Sequence, residues 1–211
     1  MEWYWILLAC LSGLAAAGLL DSVLTRRKNY VRNRAAEDAA PHAWLIGRQE
    51  TLTAFRFGKQ TMDKNGCCCV AAYNAGCLLS LGGTHSLPDT IRHFDTYLGY
   101  NLFGFLGGSP WAIRGYFRRR GYRTVYRGFL FRRRRGDVDA FLRSAPVCIV
   151  LFKHRGSAAM HYAAVRWDAD AGRFRTCNAD TCIDSFAGQL RLCGRTLIGI
   201  WAISPETERV K

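Results

Sequence analysis

Residues 65–75 have the sequence Asn65-Gly66-Cys67-Cys68-Cys69-Val70-Ala71-Ala72-Tyr73-Asn74-Ala75, a glycine turn that leads into cysteines and small residues. The run continues with few polar residues to Leu81 and stops at Gly82-Gly83. A helix that is apolar on every side is buried rather than amphipathic. The stretch therefore predicts a buried helix that begins at Cys67.

The first residue of that helix stands where a thiol can become reactive. Unpaired N–H groups and the positive end of the dipole lie at a helix N-terminus and stabilise a thiolate. A thiolate is the form of cysteine that attacks carbonyl groups. We therefore expect Cys67 to be a nucleophile, with Cys68, Cys69 and Cys77 as small core residues. The alternative is that all four cysteines only pack in a cysteine-rich helix.

A nucleophile needs a base, and His161 has the most suitable surroundings of the five histidines. It opens an apolar run at 161–167 that predicts a strand, followed by a turn-rich stretch at 168–172 and a second strand at 173–177. The end of the second strand of a hairpin returns to the start of the first. Asn178 is then expected beside the His161 ring, where it could orient the imidazole and fix its tautomer.

Cysteine, then histidine well downstream, then asparagine after a hairpin is the chain order of papain-like cysteine peptidases. The chain resembles the branch that removes bacteriocin leader peptides after a Gly-Gly pair. The matching features are Gly66-Cys67 at a helix start, His161-Tyr162 at a strand start and Asn178 after its partner strand, within residues 58–204. The resemblance implies an α+β papain-like fold, a peptide or protein substrate, and an export transporter as a candidate partner.

The resemblance also assigns roles around the bond that is cut. Cys67 is the nucleophile and His161 the base, while Asn178 orients the imidazole, with Asp180 and Asp184 as alternatives because aspartate is the commoner partner in that branch. The family usually carries a glutamine six residues before the cysteine, where it completes the oxyanion hole with the backbone N–H of the cysteine. This chain has Thr61 there and Gln60 one residue earlier. Either a bulge lets Gln60 reach the site, or Thr61 or Asn65 donates instead.

Two other functions fit the same arrangement of residues. One is an acyltransferase or a transglutaminase-like enzyme, and the other is a catalytically inactive relative that binds a peptide in the cleft. No cofactor is expected. A zinc site built from Cys177, Cys182, Cys193 and His161 is disfavoured because their spacings contain no C-x-x-C pair.

The N-terminal segment carries the signal for a membrane. Residues 3–20 contain no charged side chain, and at helical rise they span about 27 Å, close to the hydrocarbon thickness of a bilayer. Aromatic residues at 3–5 fit one interface, and basic residues follow at 26–34. The positive-inside rule then predicts a single-pass membrane protein with its catalytic domain on the cytoplasmic side. The alternative is a signal peptide cleaved near Ala15-Ala16-Ala17.

The order of the remaining elements favours an α+β fold, with helices first and an antiparallel sheet later. Helices are expected at 109–117 and 136–142, and further strands at 122–125, 147–152 and 197–203. Four segments divide the chain: an anchor at 1–24, a basic juxtamembrane linker or amphipathic lead-in at 25–48, a catalytic domain at 49–205 and a tail at 206–211.

Charge and cysteine content limit the partners and the compartment. The net charge is +14, but five of the basic residues belong to the juxtamembrane cluster, where anionic lipid explains them. Arg118-Arg119-Arg120 and Arg132-Arg133-Arg134-Arg135 lack a nucleic-acid motif, so we expect them against the membrane surface or an acidic peptide, with no nucleic acid bound. Nine cysteines, three of them adjacent, indicate reduced thiols in the cytosol. The other histidines are expected to be surface or capping residues.

Overall fold

The computed structural model describes residues 2–39, 44–80, 85–95, 107–128, 138–154, 156, 160–177 and 181–206. Its helices are α1 (Glu2–Ala39), α2 (Met62–Asn65), α3 (Cys67–Leu78), α4 (Leu87–Phe94), α5 (Pro110–Arg118), α6 (Val138–Arg143) and α7 (Phe186–Leu192). Its strands are β1 (Arg56–Phe57), β2 (Gln60–Thr61), β3 (Tyr122–Gly128), β4 (Val147–His154), β5 (Met160–Asp168), β6 (Arg173–Cys177), β7 (Thr181–Ile183) and β8 (Arg195–Pro205).

The strands form two antiparallel sheets. β1 and β2 make a small hairpin that leads into α2, and the other six strands make one sheet in the order β3-β8-β4-β5-β6-β7. β8 lies between β3 and β4, so the end of the chain completes the middle of the sheet. The fold is therefore a mixture of helices and antiparallel sheet, as the α+β prediction expected.

The large sheet separates two apolar clusters, because alternate side chains of a strand point to opposite faces. In β4, Ile149 and Leu151 face a first cluster that holds α3, α4 and α5. Val150 and Phe152 face a second cluster that holds α6 and α7. Both faces of the sheet are covered, which explains why β4 is an unbroken apolar run rather than an alternating one.

α3 confirms the predicted buried helix at its predicted start. Ten of its residues are buried, and its one buried polar residue, Asn74, is satisfied by the backbone of Ile46. Two hydrogen bonds of 2.8 Å join the Asn74 amide to the N–H and the carbonyl of Ile46. The helix ends at Leu78, earlier than the glycine pair that marked its limit in the sequence.

α1 is long and apolar enough to span a bilayer. Its most apolar 18-residue window has a mean hydropathy of 2.0, and none of that window is buried against the part of the domain that the structure describes. Large apolar side chains such as Trp3, Leu7 and Leu14 are exposed along it. This half of the helix has the surface that a lipid environment requires.

In the second half of α1 the helix continues without a break to Ala39, through the segment expected to be a linker or an amphipathic lead-in. Residues 25–39 pack on the domain through polar side chains. Asn33, which is fully buried, donates to the carbonyl of Arg56 and accepts from its N–H. Asn29 donates to the carbonyl of Gly58 and to Asp95. The basic segment is therefore part of the folded body and not a flexible connection.

Most of the remaining sequence predictions are confirmed within a few residues. α5 begins after Ser109, whose hydroxyl accepts from the N–H of Trp111, and Pro110 occupies the first turn. The predicted β5–β6 hairpin forms with Trp167 opposite Phe174. The sequence did not predict α2, α7 or the short strands β1, β2 and β7.

One predicted basic cluster is partly internal. Arg120 donates to the carbonyl of Tyr116 and its guanidinium lies 3.7 Å from the centre of the Tyr116 ring. Arg118 and Arg119 are exposed. Arg120 therefore packs on the last turn of α5. The second basic cluster, at 132–135, lies outside the described residues.

Candidate active site

Cys67 is the first residue of α3 and lies at the point where the chain leaves a tight turn. Gly66 connects α2 to α3, and a Cβ added there would lie 2.5 Å from the carbonyl oxygen of Met62. Only glycine fits such a close approach. Cys67 is half-buried, whereas Cys68 and Cys69 are fully buried. The turn therefore presents one of the three adjacent sulfurs at the edge of the core, as the sequence predicted.

The sulfur of Cys67 lies among backbone N–H groups but is also desolvated. Burial raises the pKa of the Cys67 thiol, and the N–H groups of Tyr162, Cys68 and Cys67 itself oppose that shift. Desolvation is the larger effect because a charged sulfur loses more from burial than three N–H dipoles return. The N–H groups at the helix start thus favour the thiolate, as expected, but burial outweighs them and the pKa of Cys67 lies above its ordinary value.

His161 is the second residue of β5, next to the residue whose N–H faces the Cys67 sulfur. The backbone at His161-Tyr162 is thus beside the start of α3. Strand alternation places the His161 side chain on the face of the second cluster, where its ring lies 5.4 Å from that of Phe152. Cys67 packs against the first cluster, on the other face of the sheet, so strand alternation does not bring the His161 ring directly to the Cys67 sulfur.

The third predicted member of the triad, Asn178, lies outside the described residues, as does the alternative Asp180. β6 ends at Cys177, which is paired with Ala164 of β5, so the described chain ends one residue before Asn178. Asp184 follows β7 and is exposed to solvent. An exposed carboxylate is a weak orienting group, because water competes for its hydrogen bonds.

The two candidates for the second oxyanion donor, Gln60 and Thr61, form β2 and are half-buried. The segment that follows them is not a bulged loop. Thr61 is the N-cap of α2, which fills the interval to Gly66 with one helical turn. Gln60, which lies one residue before the family's glutamine position, is therefore followed by a regular helical turn and not by a bulge. The N–H of Cys67 lies close to its own sulfur at the start of α3, and its role as first oxyanion donor stays a prediction.

Gly107 and Gly108 pack closely against the start of α3, a contact that the sequence analysis did not identify. Tyr162 donates through its hydroxyl to the carbonyl of Gly108 at 3.4 Å. A Cβ added at Gly108 would lie 2.7 Å from Cβ of Cys68, and one added at Gly107 would lie 3.4 Å from the carbonyl oxygen of Asn65. The backbone at 107–108 therefore crosses close to the first turn of α3. Two adjacent glycines ahead of the Ser109-Pro110 cap were the available signal.

Two histidines are internal rather than surface or capping residues. His85 donates through Nε2 to the carbonyl of Tyr73 at 2.7 Å and lies 3.1 Å from the Tyr116 hydroxyl. His93 donates to the carbonyl of Ala112 at 3.1 Å. Burial lowers the pKa of both, that of His93 to about 4. They bind helices to one another, which the sequence did not indicate.

Metal chemistry has little support in the described part of the chain. Among those residues no group of three or more histidine, cysteine or acidic side chains could hold a metal ion. Cys177 is half-buried and Cys193 is exposed, and neither is in a disulfide bond. The side chain of Cys182, the third member of the alternative zinc set, lies outside the described residues.

Comparisons with known proteins were made at the level of families and of individual sequences. No protein-family model matches this chain. No curated protein matches it either. The resemblance to papain-like peptidases therefore rests on the sequence motifs alone.

Proposed function

We propose that the protein is a membrane-anchored cysteine peptidase of papain-like fold, with Cys67 as nucleophile, His161 as base and Asn178 as the residue that orients the imidazole. The observation that carries the proposal is the juxtaposition of the start of α3 with the start of β5. The Cys67 sulfur lies at the N–H of Tyr162, the residue directly after His161. A cysteine at a helix start, beside a strand whose second residue is histidine, supports a thiol nucleophile that an imidazole serves as base.

The proton transfers follow from the resting state of the sulfur. Because burial raises the pKa of Cys67, the attack needs a base to remove the thiol proton as the sulfur bonds to the substrate carbonyl. His161 takes that proton and later gives it to the departing amine, leaving a thioester. Water, deprotonated by His161, then adds to the thioester and the thiol is restored. The carbonyl oxygen is stabilised during both steps by the N–H of Cys67 and by Gln60 or Thr61.

The proposed location is the cytoplasmic side of a membrane. Residues 3–20 of α1 supply the span, and Arg26, Arg27, Lys28, Arg32 and Arg34 supply the positive flank. Several of these basic residues are exposed on α1, where anionic headgroups can reach them. Peptide substrates of the leader type, cut after a small-residue pair such as Gly-Gly, fit the resemblance.

The test uses a Gly-Gly fluorogenic peptide and a thiol-directed electrophile on the full chain in liposomes. Cys67→Ala should abolish cleavage, whereas Cys193→Ser, at another accessible thiol, should leave it intact. His161→Ala should lower the rate by roughly 10² to 10⁴, the usual contribution of a general acid–base. His154→Ala is its matched control, since His154 ends the neighbouring strand β4. Cleavage that survives Cys67→Ala would refute the assignment.

A second candidate, a peptide-binding module without catalysis, is favoured by the raised pKa of Cys67. A thiol that no imidazole activates should be alkylated slowly at neutral pH, with a rate that keeps rising above pH 9. A thiol paired with His161 should instead react at a rate that levels off near the imidazole pKa, about 6.5. Adding an amine acceptor to the cleavage assay separates hydrolysis from acyl transfer, because only the transferase joins the amine to the substrate.

A further inference from the structure

The second half of α1, residues 21–39, packs on the domain and is called the docked half. It holds the domain at a fixed position along the helix. Contacts to the domain occur from one end of this part to the other: Arg26 donates to the carbonyl of Arg92, Tyr30 donates to Asp89, and Glu37 accepts from the N–H of Leu87. α4 thus runs antiparallel to α1 along its length. A helix attached at several successive turns cannot slide along the domain, so for α1 along the bilayer normal distances along the helix are distances from the membrane.

The β1–β2 hairpin lies along α1 in the same way. Arg56 is bound to Asn33, and the turn of the hairpin is bound one helical turn nearer the apolar segment, where Gly58 meets Asn29. Lys59, at the tip, pairs with Asp21 at 2.8 Å. β1 therefore runs toward the apolar half of α1, and β2 returns from it toward the candidate site.

These contacts fix how far the candidate site lies from the bilayer. Asn33 is about 20 Å along the helix axis from Leu20, the last residue of the uncharged segment. Arg56 pairs with Thr61, and only α2 and Gly66 separate Thr61 from Cys67. α2 is about 6 Å long, so Cys67 lies within about 10 Å of the level of Asn33. The sulfur is therefore held about 20 Å from the end of the uncharged segment, within about 10 Å either way.

We propose that the substrates are membrane-anchored peptides that are cut about 20 Å from the bilayer, and that α1 sets this distance. The inference rests on the proposed peptidase function and on α1 crossing the membrane. An extended chain covers 20 Å with about six residues. A peptide attached to the same membrane with a spacer of that length reaches Cys67 directly, and a shorter one does not.

Attachment to one surface also changes the rate. A short tether of matching length gives an effective concentration in the millimolar range, and longer tethers lose this advantage gradually. A free peptide at micromolar concentration has no such gain. The anchored substrate should therefore be cut at least about tenfold faster than the same peptide free in solution.

The first experiment measures reach without requiring peptidase activity. Lipid-anchored chloroacetamide probes carry oligoproline spacers of 2, 6, 12 and 24 residues, which extend by about 3.1 Å per residue. The full chain in liposomes carries Cys10→Ser and Cys193→Ser, which remove the two thiols that are exposed among the described side chains. Alkylation of Cys67, read by mass spectrometry, should be fastest with the spacer of six residues and at least about tenfold slower with two.

The second experiment moves the site. Seven helix-forming residues inserted between Leu20 and Asp21 add about two turns, or about 10 Å, and keep the rotational position of the domain. The best spacer should lengthen by about three residues. The same seven residues inserted between Met1 and Glu2 are the control and should leave the optimum unchanged. Alkylation that does not depend on spacer length, or an optimum that the insertion does not move, contradicts the inference.

The cleavage arm separates this inference from the proposed function. A Gly-Gly fluorogenic peptide on the same anchors should be cut faster than its free form, with the same spacer optimum. Equal rates for anchored and free peptide, abolished by Cys67→Ala, overturn the inference and leave the peptidase intact. No Cys67-dependent cleavage of either form, despite spacer-dependent alkylation, overturns the peptidase and the substrate class with it.

Discussion

α3 and the docked half of α1 lie against the same core cluster, but they are held there by different forces. α3 buries apolar side chains on every face. The docked half of α1 buries a polar stripe: Ser22, Thr25, Arg26, Asn29, Tyr30, Asn33 and Glu37 are buried or half-buried at helical spacing, with Ala36 as the single apolar member. Both helices follow the 3.6-residue period, but hydropathy reveals only the first.

The polar stripe works because an asparagine amide copies a peptide group. Asn33 gives Arg56 one donor and one acceptor, at 2.8 and 2.7 Å, as a neighbouring strand would. Asn74 of α3 does the same for Ile46. Such pairs satisfy backbone groups that would otherwise be buried without partners, which is costly. Geometry rather than apolar area therefore fixes the position of α1.

The largest expected effect comes from disturbing the close packing of α3. A Cβ at Gly76 would collide with the His85 ring, which is held by Tyr73 and stacked on it. Gly76→Ala should lower the free energy of unfolding by about 3 kcal/mol, since the ring must leave its hydrogen bonds or α3 must shift. Chemical denaturation of the full chain in detergent micelles measures it.

The matched control for this change is another helical glycine with room around it. A Cβ at Gly115 would lie 3.9 Å from its nearest neighbour, in His93. Gly115→Ala should therefore be neutral or stabilise by up to about 1 kcal/mol through helix propensity. If both substitutions cost the same, close packing does not distinguish α3 from the rest of the molecule.

The next effect comes from removing the polar contact of α1. Asn33→Ala leaves the N–H and carbonyl of Arg56 without their partner and should cost about 2 kcal/mol. The loss should be local, with faster hydrogen exchange in residues 21–39 and in the β1–β2 hairpin while α3 stays protected. Arg32→Ala, exposed on the preceding residue, is the control and should change neither. Uniform exchange across the molecule would show that α1 and α3 unfold as one unit.

The sequence predicted the elements whose signals are apolar and missed those whose signals are contacts. α3, β4, β5 and β8 were found because burial on one or both faces leaves a clear pattern. β1 and β2 have two residues each, and the hairpin is bound at Arg56 and Gly58 by asparagines of α1, which lie far away in the chain. The basic residues of α1 suggested a linker because a polar docking stripe and a solvated segment have the same composition.

The features of the candidate site also divide into those that the sequence predicts and those that depend on the fold. The turn at Gly66 and the thiol at Cys67 are local features and could be predicted. The raised pKa of Cys67 could not, because it depends on how completely β5 and the neighbouring elements exclude water from the sulfur. The close packing of the glycines at 107–108 also could not be predicted, because Gly108 and Cys68 are in contact but distant in sequence.

His93 of α4, the helix that packs against both α1 and α3, should make the stability of the protein depend on pH. The pKa of His93 is lowered to about 4, first by burial and then by Arg119, Arg120 and Arg26. The unfolded chain takes up this proton near pH 6.5 and the folded chain only near 4, so stability falls as the pH drops from 6.5 to about 4. Thermal unfolding of His93→Gln should lose less stability over that interval than the natural chain. Equal losses would show that His93 does not contribute.

The smallest effect is expected at the membrane end of the docked half. Lys59 and Asp21 form an ion pair at 2.8 Å, but their side chains are 40% and 49% exposed. Exposed pairs contribute about 0.5 kcal/mol or less, so a double-mutant cycle of Lys59→Ala and Asp21→Ala should give a coupling near that value. Added salt should reduce it further.

A coupling above about 1.5 kcal/mol would mean that the pair is shielded from water and that α1 is already fixed at Asp21. A small coupling places the first firm attachment at Asn29, where the amide is buried between Gly58 and Asp95. Between Asp21 and Asn29, about two helical turns, α1 is then held by Arg26, which donates to the carbonyl of Arg92.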